Sequence, residues 1–315
     1  MIDFSRFDSL ISVVTYFYDE ERCKQAVAES RWADGDVVCP YCGANRCVTR
    51  KDGRYRCNKC KSNFSVMVGT IFENSKLPLS MWFIAMYFIS SHKKGISSHQ
   101  LARDLNVCQK TAWFMLMRIR SLYSQDNEPL EGNIELDEAY IGGKEKWKHA
   151  DKRTEGTQGR STKTKAAIFG INQREGKVNV RVVEDTKGNT LSPIIRQFVR
   201  EGSRIFTDEY IGYNSLNDSE YSHSVVFHNA GEFVVGDAHT NGMEGFWGHF
   251  KRMLSGIYHF CSRKHLQDYV NEQVFRWNTR KDSEAERFET MFAHAIKVVH
   301  QEDFKLIRRY HKKTA

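Results

Sequence analysis

No stretch of this chain is apolar for long enough to cross a bilayer. The longest wholly apolar run, Met81 to Ile89, has nine residues, against the ~20 that a spanning helix needs. The opening residues MIDFSRFDSL carry acids and no basic n-region, so no secretory signal is expected. Without one, the eight cysteines read as reduced thiols or metal ligands rather than disulfides, and a cytosolic compartment is expected. The composition also lacks the mark of disorder: 40% of residues are apolar and 27% charged, which describes an ordinary globular protein. A length of 315 residues allows one large domain or two to three small ones with a sizeable core.

The net charge of +8 is unevenly spread. Cys39–Lys61 holds seven Lys/Arg against one acid, Lys93–Arg120 six against one, and Gly142–Lys165 eight against three. Positive charge gathered in three segments is the footprint of a polyanion binder, although any single run could be no more than a solvated face.

Residues 1–38 read as helices that support or dock. Residues 39–70 hold Cys39-Pro-Tyr-Cys42 and Cys57-Asn-Lys-Cys60, separated by 14 residues. Two such pairs bring four thiolates together in a closed tetrahedral Zn²⁺ site, a folding staple with no open position for catalysis. Cys47 lies inside the loop as a spectator or a competing ligand. Cys23, Cys108 and Cys261 are most simply small buried hydrophobes. After Pro78, Ser80 caps an almost entirely apolar helix that must be buried. Within 78–125, Leu101, Ala102 and Leu105 form one apolar stripe, Asn106-Val107 a turn, and Ala112, Leu116 and Ile119 a second stripe. This is a helix-turn-helix pattern or, more blandly, a helical hairpin. In the first case Gln109, Lys110 and Trp113 stand at the groove-facing start, with Arg118 and Arg120 nearer the DNA backbone.

Residues 126–129 are a polar break. NIELDEAYI (133–141) alternates as a strand carrying Asp137. The stretch 142–165, with Lys144, Lys146 and Lys148, has no periodicity and reads as a mobile basic loop. A hairpin (165–171 with 178–183), a helix (191–200), a strand ending at Asp208 and a weaker strand (224–228) follow. HTNGMEGFWGHFKR (239–252) then gives a helix with its apolar stripe on Met243, Phe246, Trp247, Phe250 and Leu254. Asn241 reads as its N-cap. Glu244 and Lys251, seven apart, fall in line along one edge of that stripe. Glu244 three residues after the cap is also the capping-box position, so its role could be purely local. Residues 301–315 form a basic tail.

The expected fold class is α/β. The expected order β-β-β-α-β-α-β-α, with acids on the first strand and at the end of the fourth, fits a ribonuclease-H-like mixed five-stranded sheet flanked by helices over 130–300. It follows a zinc ribbon and an all-helical helix-turn-helix unit. Asp137 and Asp208 would sit at neighbouring strand ends with Glu244 packed across them. Three such anions repel unless cations neutralise them, and hard oxygen ligands suit Mg²⁺ or Mn²⁺. Two such ions can activate water or a 3′-hydroxyl in phosphodiester displacement.

The chain resembles bacterial insertion-sequence transposases with a zinc ribbon, a helix-turn-helix and an ISXO-like DDE domain. The resemblance rests on CPYCG, ELDEAYIGGK, TDEYIGY, HTNGMEGFWGHFKR, GIYHF and the Tyr269…Glu272…Arg276-Trp277-Asn278 stretch. It implies catalytic roles for Asp137, Asp208, Glu244 and Lys251, with His239 and Asn241 supporting the helix start. Thirty-five residues separate Asp208 from Glu244, a spacing similar to that of many transposases and integrases. Further implications are binding of double-stranded DNA at element ends and target, a homodimer or higher oligomer on DNA, and a bacterial, nucleoid-associated location. A non-catalytic DNA-binding regulator and a nuclease without strand transfer remain as alternatives.

Overall fold

The computed structural model describes residues 2–123, 125, 128–143, 148–157, 161–216, 220–226 and 239–297. The basic tail 301–315, Lys144 and Lys146 lie outside them. The chain divides into two compact units, Met1–Leu122 with Lys281–Ala315, and Tyr123–Arg280.

In the first unit, α1 (Leu10–Tyr16) begins with a reciprocal Ser9–Ser12 capping box, and α2 (Glu20–Arg31) follows. Strands β1 (Cys47–Thr49), β2 (Tyr55–Cys57) and β3 (Asn63–Phe64) make a small antiparallel sheet. Its core is little more than Phe64 and two cysteines, backed by Trp32 and Tyr55, too small a core to fold on burial alone. Helix α3 (Leu79–Ser91) buries Trp82, Phe83, Met86 and Ile89. Ser80 does not cap it. The Leu79 amide instead donates to the carboxylate of Glu20 on α2, at 2.9 and 3.2 Å. Helices α4 (Ser98–Asp104) and α5 (Gln109–Arg120) pack on each other through a turn in which Asn106 takes φ 51°.

The second unit is built on one mixed sheet: β4 (Asn133–Ile141), β5 (Ala166–Gln173), β6 (Val178–Val183), β7 (Arg204–Asp208) and β8 (Ser222–Val226), in the order β6-β5-β4-β7-β8. β4 is central, antiparallel to β5 and parallel to β7, while β7 and β8 are parallel. The class is therefore the expected mixed α/β one, a five-stranded sheet flanked by helices, preceded by a three-stranded sheet beside the cysteine cluster. A 3₁₀ segment, Ile211–Leu216, stands where a helix was expected between the fourth and fifth strands.

Alternation along the strands gives the sheet two different faces. Ile134, Leu136, Phe169, Ile171 and Ile205 point to one side and pack with Leu191, Ile195 and Phe198 of α6 (Gly188–Phe198). Glu135, Asp137, Gly170, Asn172, Phe206 and Asp208 point to the other, where α7 (Asn241–Met253) crosses β4 and β5 and α8 (Leu266–Asn278) covers β6.

Helix α9 (Glu284–Ile296) lies in the first unit. Phe288 and Phe292 return to the first unit and pack with Phe4, Phe7, Phe17 and Phe83. Aromatic spacing says that a helix is buried, not which core takes it. No helix among the described residues is long and apolar enough to cross a membrane.

Candidate active site

The centre of the site follows from the register of two strands. β4 and β7 run parallel with Ile134 beside Ile205 and Glu135 beside Phe206. The pairing stops there; Asp137 and Asp208 each lie two residues further along, on the face of Glu135 and Phe206, with the Asp208 carboxylate close enough to act on that of Asp137.

Helix α7 is laid along β4 at very close range. Asp137 faces Gly170 on β5, and a methyl group built on Gly170 would meet Met243 Cε at 2.1 Å and Trp247 Cζ2 at 2.9 Å. The bare glycine lets the helix down far enough for the Trp247 indole N–H to donate to Asp137 Oδ2 at 2.9 Å. One turn earlier, the Met243 amide donates to Glu135 Oε2 at 3.0 Å. Four helical residues advance ~6 Å and two strand residues ~6.6 Å, so the Glu135/Asp137 pair and the Met243/Trp247 pair match in spacing.

Glu135 was missed by sequence reasoning. It is 1% exposed and gathers Asn172 Nδ2 (3.2 Å), Arg174 Nε (2.9 Å) and the Met243 amide. Arg174 also donates to the His239 carbonyl and lies over the Phe206 ring, 4.0 Å from its centroid. Amides in the first turn of a helix have no partner within it, and Glu135 satisfies one of them from a strand more than a hundred residues away. The available signal was its position two residues before Asp137 on the same strand face. Arg174 and Asn172 gave none. His239 Nδ1 stands 3.3 Å from Glu135 Oε1 without hydrogen-bond alignment. Asn241 is not the N-cap: the cap is Thr240, whose side chain makes no capping bond, and Asn241 is the first helical residue. Glu244 is thus one position too late for a capping box, and the carboxylate serving the helix start is Glu135. Glu244 is exposed, and among the described residues its carboxylate has no hydrogen-bond partner.

The three acids are within electrostatic reach of one another. Burial pushes the Asp137 carboxyl up to about 6, and the carboxylates of Asp208 and Glu244 push the same way. Bonds from the Glu138 amide (2.8 Å) and Trp247 oppose the shift. Asp208 Oδ1 accepts from the Tyr210 amide at 3.0 Å. A half-buried acid facing two others is the donor set expected around a hard divalent cation. The three are not drawn together as tightly as a finished cage. Lys251 is exposed in the last turn of α7, in line with Glu244.

The cysteines do make such a cage. The sulfurs of Cys39, Cys42, Cys57 and Cys60 lie within 4.8 Å of one another, and Cys39–Cys60 and Cys42–Cys57 are each 3.6 Å apart. A tetrahedral zinc with bonds of ~2.3 Å has sulfur–sulfur edges of ~3.8 Å, so the set fits Zn²⁺. Cys47 is outside it, its thiol 3.7 Å from the Ala44 carbonyl.

The remaining expected residues divide. Gln109 and Lys110 are exposed at the start of α5, with Gln109 bonded to Ser98, and Trp113 is half-buried beside them. Arg118 and Arg120 are corrections: they are 3% and 1% exposed and offer no surface to a phosphate. Arg118 donates twice to the Glu73 carbonyl and lies over Trp82 and Phe114. On a helix packed on nearly every side, a basic residue near the end is taken inside. Lys148 is exposed.

Residues 129–278 match the family described as the ISXO2-like transposase domain, and residues 18–63 match the transposase zinc-ribbon domain. The first match contains Asp137, Asp208, Glu244 and Lys251, and the second all four cage cysteines. The chain is 28% identical over 277 residues to an uncharacterised protein in the transposable element ISH50 of Halobacterium salinarum, covering 82% of this chain and 93% of that protein. It is 34% identical over 102 residues to an uncharacterised transposase-like protein of Haemophilus influenzae, covering 32% of this chain and 81% of that protein.

Proposed function

We propose, because the chain belongs to the zinc-ribbon transposases with an ISXO2-like domain, that it cleaves DNA at the ends of its element and joins the freed 3′-hydroxyls to target DNA. The observation that carries this reading is the electrostatic convergence of Asp208 and Glu244 on Asp137. A fold keeps three repelling acids together at a cost unless a positive ligand offsets it. The strand order, with three antiparallel strands followed by two parallel to the first, supports a ribonuclease-H-like core.

Asp137, Asp208 and Glu244 would hold Mg²⁺ or Mn²⁺. Such ions supply a hydroxide or alkoxide nucleophile at neutral pH and offset charge on the leaving oxygen. Trp247 fixes the rotamer of Asp137 through one oxygen, which keeps lone pairs on both for ligation. Lys251 would steady the scissile strand through a phosphate. The zinc ribbon, with zinc as its structural metal, and the α4–α5 pair, through Gln109, Lys110 and Trp113, would recognise the terminal inverted repeats. Lys148 and its neighbours Lys144 and Lys146 would grip flanking or target DNA. Joining needs two ends at once, so a dimer or higher oligomer forms on DNA.

The test supplies pre-cleaved ends, a target plasmid and Mg²⁺ and assays joined products on a gel. Joined products are expected from the natural protein. Asp137→Asn, Asp208→Asn and Glu244→Gln should each reduce them by at least ~10²–10³-fold, the cost of removing a group that stabilises the transition state, with DNA retardation kept. Nicking without joining would instead indicate a nuclease. Retardation with no cleavage under any condition would indicate a regulator.

A further inference from the structure

The segment GIYHF, which follows the catalytic helix, has no part in the reading above, and its geometry points to a binding site for an unpaired nucleobase at Phe260. Helix α7 does not simply stop. Leu254–Tyr258 widens into a π-helical turn, and His259 closes it with φ 56° and ψ −42°, a left-handed conformation that a side chain resists. π-Turns and strained backbone persist where the surroundings over-determine them, often at functional sites. Here the surroundings are explicit. The Tyr258 hydroxyl donates to Glu272 Oε1 at 2.6 Å, and its ring packs edge-on to Tyr269, centroids 4.8 Å apart. Glu272, with its side chain wholly buried, is paired at 2.6 Å with the buried Arg276. That network, all from residues of α8, anchors the turn from inside.

Two residues after this anchor, Phe260 is 80% exposed. Single exposed aromatics are common and need no function. This one stands just past a pinned, strained turn that continues the helix carrying Glu244, and Lys251, Arg252 and His259 are exposed along the stretch of chain that leads to it. Arg263 donates to the carbonyls of Thr162 and Lys165, tying the turn to the end of the basic stretch 142–165. Cations along this rim would track phosphates, and an aromatic ring among them offers a stacking face. Phenylalanine has no hydrogen-bonding atom with which to read a base edge. It can bind only the flat face of a base, which is open where pairing is interrupted, as it is beside a freshly cut strand end. The expected ligand is therefore an unpaired nucleotide near that end, stacked with little regard to sequence. This rests on the DNA-processing reading above.

The experiment uses the full chain with bound zinc, carrying Asp137→Asn so that nothing is cut, in calcium-containing buffer. The probes are a duplex with a single-stranded thymine tail and the same duplex blunt-ended. The Asp137→Asn protein should bind the tailed probe about tenfold or more tighter, in line with the worth of one stacked base. Adding Phe260→Ala should remove that preference and leave blunt-end affinity unchanged. Phe260→Trp should keep the preference and show fluorescence quenched by the tailed probe alone. A preference that survives Phe260→Ala overturns the inference, as does its absence before Phe260 is changed. Loss of self-association on sedimentation, with both DNA affinities intact, would assign Phe260 to a second copy of the chain. If neither probe binds at all, the DNA reading beneath it falls too, whereas failed strand transfer with an intact tail preference would fault only the catalytic reading.

Discussion

Asp137 is an acid that its surroundings make harder to ionise, and this has a sign that can be measured. Its carboxyl is raised to about 6 when folded, against 3.8 for an ordinary aspartate. Between those two values the folded chain holds the proton more often than the unfolded one, so stability falls as pH rises through that window. The loss amounts to at most about 3 kcal/mol once both states are ionised. In metal-free buffer apart from zinc, Asp137→Asn is therefore expected to raise the melting temperature at pH 7 and to have little effect near pH 4. Mg²⁺ should raise the melting temperature of the natural protein at pH 7 and do much less for the variant. An Asp137→Asn protein no more stable than its parent at pH 7 would mean that the acid carries no such penalty. Arg118 teaches the opposite lesson at the same scale. A basic residue that the charge pattern assigned to DNA spends its donors on the Glu73 carbonyl.

At the scale of the element, α7 is positioned by what it lies on. Its apolar stripe and its carriage of Glu244 and Lys251 were legible in the spacing of Met243, Phe246, Trp247 and Phe250, all of which are buried. Its cap was not legible, and nor was that of α3. In both helices the expected local cap does nothing, and a glutamate from another element takes the first amides: Glu20 for α3 and Glu135 for α7. Gly242 marks the same contact, since a methyl group there would fall 2.6 Å from Glu135 Oε2. Gly170→Ala tests the seat directly. The new methyl must push Met243 or lift Trp247, and overpacking a filled site costs about 1–3 kcal/mol. Activity should fall at least tenfold with zinc content unchanged, because Trp247 loses its grip on Asp137. Met243→Ala added to Gly170→Ala should restore part of both stability and activity. Full activity in Gly170→Ala alone would show that the close approach is not needed.

On the scale of the whole molecule, the zinc ribbon and the 123–280 unit draw on different sources of stability. The ribbon has a few aromatic contacts and four thiols, so its folding is bound up with its metal. The 123–280 unit has two packed sheet faces. Atomic absorption should give one zinc per chain, and Cys57→Ser should lose it. That variant should bind DNA more weakly and lose the calorimetric transition of the ribbon. The transition of the 123–280 unit should keep its midpoint. A single transition that collapses entirely in Cys57→Ser would show that the ribbon and the 123–280 unit unfold together.

The sequence by itself determined most of the strands and helices and the four-cysteine cage, because these depend on periodicity and short spacing, which are local. It singled out Asp137, Asp208 and Glu244 as candidates only with the help of strand order and a family resemblance. Only the tertiary structure decided that Asp137 and Asp208 share one face of neighbouring parallel strands and that Glu135 rather than a neighbour holds the head of α7. It also took Arg118 and Arg120 inside, sent α9 back to the first unit and set Phe260 outward on a strained turn. Each of these depends on which distant residue arrives at a given place, and no local pattern of side chains encodes that.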